Sequence, residues 1–256
     1  MTDLHCHVLP GLDDGAGDFA EALDMCRVAV EDGITEIVAT PHTEDGLYRN
    51  CGTKICEAVR LFQEALVQER IPLAVYPGAE VHIHENLIDH IRQGQVLTLG
   101  NNRKYILLEL PSTLLPLYTD HVIRRLLEEG ITPLIAHPER NEQVRRNQER
   151  LQAWIALGAC VQLNAGSLLG FWGKQIRQCA TFLLRSGYVH VIASDGHDAQ
   201  NRPPVLSKAY REVEKAVSPD AREVLEANAK AVLAGGMCKT ISQERSPRKW
   251  FFCFSK

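Results

Sequence analysis

The chain has 256 residues, of which 45% are hydrophobic and 23% charged, and its formal net charge is −4. A composition this close to that of ordinary globular proteins excludes intrinsic disorder, collagen-like structure and coiled coil. Because no surplus of Lys and Arg is present to neutralise phosphates, the charge also argues against a general affinity for nucleic acid.

Short apolar runs alternate with longer amphipathic segments along most of the chain. The apolar runs are predicted strands and the amphipathic segments predicted helices, with Asp18 as the N-cap of the first helix. In chain order, the predicted strands cover residues 3–7, 36–39, 73–76, 105–110, 133–136, 160–163 and 190–193. The predicted helices cover residues 19–31, 54–69, 86–93, 120–129, 147–157 and 173–186, followed by two closing helices over 205–217 and 220–233.

This order of elements predicts the fold class. The strands are apolar on both faces, as buried parallel strands are. Strands that alternate with helices along the whole chain indicate an α/β fold with a parallel sheet. Seven such units in about 200 residues favour one barrel-like domain, one unit short of the eight-unit barrel. We assign residues 1–236 to this domain and residues 237–256 to a C-terminal tail.

The tail differs in composition from the rest of the chain. Its last twelve residues carry four aromatic side chains and four cations. Two interpretations stay open, a disordered end and a segment that contacts a membrane surface or a protein partner, because basic and aromatic residues together suit interfaces.

The cysteines and the N-terminus indicate the compartment. Eight cysteines are scattered without a Cys-x-x-Cys pair or a regular framework, which predicts free thiols, mostly buried, in a reducing cytoplasm. The first residues have neither a basic start nor an apolar run, so a signal peptide is not expected. No stretch reaches the ~18 apolar residues that a membrane-spanning helix needs.

Polar side chains follow the carboxyl ends of six of the seven predicted strands, where parallel barrels place their active sites. His5 and His7 are two residues apart on a strand, so both point to the same face. The candidate metal ligands are His5, His7, Asp14, His42, Glu80, Glu109, His137, Asp195 and His197. Imidazole combined with carboxylate suits manganese, iron and zinc ions. Nine ligands suit two or three ions, because a catalytic ion takes three or four protein ligands.

The charge of such a site indicates a phosphate substrate. Three divalent ions would outweigh four carboxylates and leave an excess of positive charge for an anion. Arg140 and Arg202 lie just past strand ends and are placed to clamp phosphate oxygens. The remaining histidines do not fit the pattern and are expected to be solvated or packed: His82, His84, His90, His121 and His190. His82 alone lies near enough to Glu80 in the sequence for an alternative role in orienting a ligand.

The polar strand ends lie in motifs that resemble a known family. The motifs are Asp-Leu-His-Cys-His-Val-Leu-Pro-Gly-Leu-Asp-Asp-Gly, Ala-Thr-Pro-His, Pro-Gly-Ala-Glu, Leu-Leu-Glu-Leu-Pro, Ile-Ala-His-Pro-Glu-Arg and Ser-Asp-Gly-His, followed by Asn-Arg-Pro-Pro. They resemble the polymerase-and-histidinol-phosphatase (PHP) superfamily. Within it the chain is similar to the manganese-dependent tyrosine-protein phosphatases of bacterial capsule and exopolysaccharide clusters, the CpsB, CapC and YwqE type. The resemblance runs to about residue 233, with Gly196 and Asp198 as departures in the last motif.

The resemblance implies a distorted (β/α)7 barrel with three metal ions at the carboxyl ends of the strands. One ion would be held by His5, His7, Glu80 and Asp195, and a second by Glu80, Glu109 and His137. The third would be held by Asp14, His42 and His197. Manganese is the metal that the resemblance favours, with iron and zinc as alternatives.

The resemblance also implies an activity, the hydrolysis of phosphotyrosine on a protein by a hydroxide that bridges metal ions. The expected substrate is an autophosphorylated bacterial tyrosine kinase that regulates capsule or exopolysaccharide synthesis. The alternative is a small-molecule phosphomonoesterase, such as a histidinol phosphatase, on the same metal site. A metal-dependent C–N hydrolase and a non-catalytic metal-binding module are more distant alternatives. Cys179 and Arg185 match the Cys-x5-Arg spacing of thiol-dependent phosphatases, but the residues between them indicate a helix interior.

Overall fold

A computed structural model describes residues 1–43 and 46–241. The strands are β1 (Thr2–Cys6), β2 (Glu36–Ala39), β3 (His42–Thr43), β4 (Ala74–Pro77), β5 (Glu80–His82), β6 (Tyr105–Glu109), β7 (Thr132–Ala136), β8 (Cys160–Asn164) and β9 (Val191–Ala193). The helices are α1 (Phe19–Glu31), α2 (Gly52–Gln68), α3 (Leu87–Arg92), α4 (Thr119–Glu128), α5 (Glu142–Arg146), α6 (Glu149–Leu157), α7 (Ala165–Leu169), α8 (Lys174–Arg185), α9 (Ser207–Ala216) and α10 (Pro219–Leu233). Single 3₁₀ turns lie at Leu99–Asn101 and Pro138–Arg140.

The strands pair in parallel throughout, which confirms the predicted α/β class. One sheet has the order β1–β2–β4 and the other the order β3–β5–β6–β7–β8–β9. The chain passes from the first sheet to the second twice, between β2 and β3 and between β4 and β5. At the opposite edge, the amide of His7 donates to the Gly196 carbonyl and that of Asp195 to the His5 carbonyl, each at 2.8 Å. These two bonds join the end of β1 to the segment after β9.

Two apolar clusters stabilise this arrangement. The larger cluster fills the space between the strands and the helices packed outside them, with Phe62, Ile135 and Trp154 among its members. The smaller cluster lies against the other face of the strands and includes Leu4, Val38, Leu107, Leu134 and Val191. Ala229 and Val232 of α10 belong to the smaller cluster, so α10 covers the amino ends of the strands. Each large side chain buried in this way contributes about 1.5–3 kcal/mol.

The element boundaries agree with the sequence pattern where the local signal is strong. Helix α1 and strand β2 match their predicted ranges, and the Asp18 side chain accepts a hydrogen bond from the Glu21 amide at 2.9 Å, as an N-cap does. The helix predicted over 147–157 begins later, at Glu149, because the Asn147 side chain accepts from the Glu149 amide. The pattern missed α5, α7 and the two short strands β3 and β5.

A break in the chain explains each of the two missed strands. Pro41 separates β2 from β3, and Gly78 separates β4 from β5. A Cβ on Gly78 would lie 2.6 Å from the Val38 side chain, so only glycine permits this close approach. The breaks make His42 and Glu80 the first residues of new short strands rather than the last residues of long ones.

The first residues of the predicted tail pack against the domain. Lys239 and Asn228 exchange two hydrogen bonds at 2.8 Å, and Ile241 is buried. Residues 242–256, with all of the tail's aromatic side chains, lie outside the described residues, so the boundary at 236 stays a prediction. Within the part of the chain that the structure describes, no helix has both the length and the apolar character needed to cross a bilayer.

Candidate metal centre

The carboxyl ends of the strands bring the predicted ligands together. Eight of the nine form three overlapping groups, in each of which one potential ligand atom per residue lies within 4.8 Å of the others. The groups are His5–His7–Glu80–Asp195, His7–Asp14–His42–His197 and His42–Glu80–Glu109. The ninth residue, His137, lies outside these groups, but its Nε2 is 2.8 Å from Glu80 Oε1.

The most buried group surrounds two imidazole nitrogens that face each other. His5 Nε2 and His7 Nε2 are 3.1 Å apart. Glu80 Oε2 lies 3.2 Å from His5 Nε2 and 3.3 Å from His7 Nε2, and Asp195 Oδ1 lies 3.4 Å from each. All four side chains are at most 2% exposed.

The hydrogen bonds of the two Nδ1 atoms determine whether the Nε2 atoms of His5 and His7 carry a proton or a lone pair. His5 Nδ1 donates to Gln162 Oε1 at 3.1 Å, and His7 Nδ1 donates to Asp13 Oδ2 at 2.6 Å. In the neutral rings, both Nε2 atoms therefore turn lone pairs toward each other and toward two carboxylates. A divalent cation fits this donor set, because only a positive charge stabilises lone pairs and carboxylates held so close together.

The second group is more open to solvent. Asp14 Oδ1 lies 3.6 Å from His42 Nε2 and 3.5 Å from His197 Nε2, and the Asp14 side chain is 52% exposed. His197 Nδ1 donates to the Asp195 carbonyl at 2.9 Å, which directs Nε2 to Asp14. Asp14 is thus placed at the entrance of the site, where a ligand of an outer ion would lie.

The third group runs along the neighbouring strands β3, β5 and β6. His42 Nδ1 is buried without a hydrogen-bond partner among residues 1–43 and 46–241. It lies 3.2 Å from Glu80 Oε2 and 3.8 Å from Glu109 Oε2. A buried nitrogen without a hydrogen bond, facing two carboxylates, is a further position that suits a cation. His82, which the pattern left out of the ligand set, lies 3.5 Å from Glu109 Oε2.

Both predicted arginines lie at the site and share one acceptor. The Arg140 and Arg202 guanidinium groups donate to Asp195 Oδ2 at 2.5 and 3.0 Å, and Asn164 Nδ2 donates to the same atom at 2.8 Å. The two oxygens of Asp195 are therefore divided, with Oδ1 facing the imidazoles and Oδ2 facing the guanidinium groups. Both arginine side chains are 27% exposed, which keeps them within reach of a substrate.

The electrostatics of the buried group favour positive charge at its centre. Burial alone would raise the pKa of Asp195, but His5, His7 and Arg140 hold that pKa well below its usual range. Burial alone would lower the pKa of His5, yet the carboxylates of Glu80 and Asp195 raise it. The carboxylates that attract protons to the imidazoles in the absence of an ion would equally attract a metal cation.

Two of the site residues have strained backbones. His137 (φ 29°) and Asp195 (φ 54°) lie in the left-handed region, which costs a residue other than glycine about 1–3 kcal/mol. Each follows directly or closely on a strand, β7 for His137 and β9 for Asp195. The strain turns each side chain into the site immediately after its strand ends.

Several residues that hold the ligands were missed by sequence reasoning. Asp13 accepts from His7 Nδ1 and from the His42 amide at 2.9 Å, so it orients two candidate ligands. Gln162 accepts from His5 and from the His137 amide at 3.3 Å. The only signal for Asp13 in the sequence is that it repeats the acid of its neighbour Asp14, which the strand-end pattern predicts as the ligand. Gln162 gave a weak signal, its position on the same strand face as Asn164.

A family model matches residues 1–234 of the chain, with the description "Capsular polysaccharide synthesis, CpsB/CapC". The chain is 38% identical to the tyrosine-protein phosphatase YwqE of Bacillus subtilis (strain 168) over 233 residues, which is 91% of each chain. It is 33% identical to the putative tyrosine-protein phosphatase CapC of Staphylococcus aureus, covering 98% of this chain and 99% of the relative.

Solved structures give the same relationship. A structure from work on YwqE of Bacillus subtilis and CpsB of Streptococcus pneumoniae, described as metal-dependent tyrosine phosphatases, superposes with a TM-score of 0.91. It is 35% identical in sequence and covers 97% of this chain and 100% of the other. A β-aspartyl dipeptidase from Fervidobacterium islandicum superposes with a TM-score of 0.53 at 12% identity, a likeness of fold alone.

Proposed function

We propose that this chain, which belongs to the CpsB/CapC family of capsular polysaccharide synthesis, is a metal-dependent protein-tyrosine phosphatase. The observation that carries the proposal is the pair of facing imidazole nitrogens enclosed by two carboxylates beside two arginines. This arrangement provides places for cations and for a phosphoryl group next to one another.

Three manganese ions would be held by the nine ligand residues. His5, His7, Glu80 and Asp195 would hold the first ion, Glu80, Glu109 and His137 the second, and Asp14, His42 and His197 the third. Glu80 suits a bridging role because its Oε1 faces His137 and its Oε2 faces His5 and His7. Bound divalent ions would supply Lewis-acid stabilisation of phosphoryl charge and make water more acidic.

The other residues of the site orient these ligands and bind the substrate. Asp13 and Gln162 keep the Nδ1 protons of His7 and His5 in place, so that both Nε2 atoms stay available. Arg140 and Arg202 would bind the phosphoryl oxygens and stabilise the charge that develops as the phenolate leaves. Asn164 donates to Asp195 Oδ2 and keeps that carboxylate oriented as the arginines turn to the substrate.

The wider setting follows from the same proposal. The two hydrogen bonds between β1 and the segment after β9 bring the two sheets together at one edge and support a distorted seven-stranded barrel of the PHP type, in which β2–β3 and β4–β5 would each count as one interrupted strand. Phosphotyrosine proteins are the substrates, and an autophosphorylated tyrosine kinase of capsule or exopolysaccharide synthesis is the proposed partner. A cytoplasmic location agrees with the free cysteines of the described residues. The basic, aromatic tail would contact the membrane at its surface.

The test combines metal analysis with substrate choice. The purified chain is analysed for bound metals, and hydrolysis of a chromogenic aryl phosphate, a phosphotyrosine peptide and histidinol phosphate is measured with manganese and with chelator. We expect manganese-dependent release of phosphate, with the peptide preferred over histidinol phosphate. His137→Ala should lower activity strongly, whereas His121→Ala, which changes an exposed histidine on α4, should not.

Three results would contradict the proposal. Full activity in the presence of chelator would show that the reaction does not depend on a metal ion. A preference for histidinol phosphate would identify a small-molecule phosphatase. Hydrolysis of amides without hydrolysis of phosphate esters would identify a C–N hydrolase instead.

A further inference from the structure

One aromatic side chain contacts both arginines of the site. The Arg140 guanidinium carbon lies 4.6 Å from the centre of the Trp172 ring, and that of Arg202 lies 5.1 Å from it. Both distances are within the range of cation–π attraction. Arg140 comes from the turn after β7 and Arg202 from the segment after β9, so Trp172 joins two loops that are distant in sequence.

The chain positions Trp172 with a short, well-defined turn. Asn164 ends β8 and caps α7 by accepting from the Ser167 amide at 3.1 Å. After α7 the chain reverses at Gly170 (φ 89°), and the Phe171 amide donates to the Gly166 carbonyl at 2.9 Å. A Cβ on Gly166 would lie 3.0 Å from the Phe171 ring and 3.4 Å from Trp172 Nε1, so the absence of a side chain there lets the indole pack closely.

The polar edge of the indole does not account for this position. Trp172 Nε1 is buried and has no hydrogen-bond partner in the described part of the chain. A buried N–H without an acceptor costs free energy, so the ring is not held by that group. What remains is the aromatic face and the two guanidinium groups against it.

We propose that Trp172 is a positioning residue of the phosphatase, whose ring holds Arg140 and Arg202 together for one phosphoryl group. Two guanidinium groups that converge on one anion repel each other, and a shared aromatic face offsets part of that repulsion. Cation–π attraction depends little on rotation of the guanidinium over the ring. The arginines can therefore turn from Asp195 Oδ2 to phosphoryl oxygens while both stay on Trp172. This inference rests on the proposed function.

The first experiment separates the aromatic face from simple packing. The full chain with manganese is compared with Trp172→Leu and Trp172→Phe in hydrolysis of an aryl phosphate and in competitive inhibition by inorganic phosphate. In Trp172→Leu we expect KM and the inhibition constant both to rise about tenfold, with bound manganese per chain unchanged. Trp172→Phe keeps an aromatic face and should stay within about threefold of the unchanged chain for both constants.

The second experiment is spectroscopic and uses a matched control in the same chain. Inorganic phosphate is titrated while tryptophan fluorescence is recorded, because moving the guanidinium groups over the indole changes its emission. The change should disappear in Trp172→Phe and persist in Trp154→Phe, which alters a tryptophan stacked on Arg150 in α6. This comparison holds even if Trp172→Leu does not fold.

The outcomes separate this inference from the proposed function. Unchanged KM and inhibition constant in Trp172→Leu would overturn the role of Trp172, as would a phosphate response that survives in Trp172→Phe. A chain that binds phosphate with the expected fluorescence change but hydrolyses no phosphate ester would contradict the phosphatase function. The role of Trp172 in holding Arg140 and Arg202 would still be supported.

Discussion

The inner faces of β6 and β8 change character from one end to the other. On β6, Tyr105 and Leu107 lie in the smaller apolar cluster, and Glu109, the next residue on that face, lies in a candidate metal-binding group. On β8, Cys160 lies in the same cluster, whereas Gln162 is hydrogen-bonded to two site residues. The amino halves thus stabilise the fold by burial, and the carboxyl halves carry polar groups that suit a cation. Substitutions at the two ends should therefore have separable effects.

The largest effect on activity is expected at Asp195. Asp195→Ala removes a carboxylate oxygen that faces His5 and His7 and the acceptor shared by both arginines. Activity on an aryl phosphate should fall by roughly three orders of magnitude, since several kcal/mol of charge stabilisation are lost. Bound metal per chain, measured by elemental analysis, should fall as well.

A second variant separates loss of charge from loss of shape at this position. Asp195→Asn keeps the size of the side chain but not its negative charge, and it should lose activity almost as fully as Asp195→Ala. Circular dichroism should show that both variants are folded. A folded Asp195→Asn with full activity and full metal content would show that the polar end does not carry the chemistry.

The site residues at the carboxyl ends of the strands were easier to predict from the sequence than the strands and helices that carry them. Glu109 was recognisable because an acid that ends an apolar strand falls at the carboxyl edge of a parallel sheet. His42 and Glu80 were assigned to the right edge, although the breaks at Pro41 and Gly78 put them at the starts of new strands. The fold class followed from the repeated pattern of elements, whereas α7 is too short to produce a helical periodicity.

Residues that act through long-range contacts could not be found in this way. Asp13 differs from Asp14 only in what each contacts, and those contacts are to His7 and His42, 6 and 29 residues away along the chain. In the sequence, Trp172 looks like an ordinary aromatic residue of a loop. Its contacts with Arg140 and Arg202 form only when β7, β8 and β9 lie side by side. Tertiary packing decides these roles, and no local pattern encodes them.

A smaller effect on activity is expected for Asp13, which orients ligands without being one of the nine. Asp13→Asn removes the charge that keeps the His7 Nδ1 proton in place, so Nε2 should be less well directed to the centre. Metal affinity and activity should fall by about 10–100-fold, as for other partners of metal-binding histidines. Excess manganese should restore part of the activity, measured in a titration against aryl phosphate turnover. A loss as large as that of Asp195→Ala would place Asp13 among the ligands themselves.

The apolar end should respond in stability rather than in chemistry. Leu107 is fully buried in the smaller cluster, two residues before Glu109 on the same face of β6. Leu107→Ala should lower the free energy of unfolding by about 2–5 kcal/mol, measured by urea denaturation. The kcat of the folded variant at low temperature, with manganese, should stay close to that of the unchanged chain. A large fall in kcat with little change in stability would mean that the two ends do not have separate roles.

The smallest effect is expected at Cys179, which lies at neither end. This residue is in α8, packed in the larger apolar cluster, and burial raises the pKa of its thiol to about 12. A thiol with so high a pKa is not ionised near neutral pH and is a poor nucleophile. Cys179→Ala should therefore leave the manganese-dependent hydrolysis of aryl phosphate unchanged. Iodoacetamide should not abolish that activity by alkylating Cys179. If the variant were folded but inactive, the spacing to Arg185 would have marked a thiol-dependent phosphatase. The polar ends of the strands would then need another explanation, because metal-assisted hydrolysis at those ends does not require the Cys179 thiol on α8.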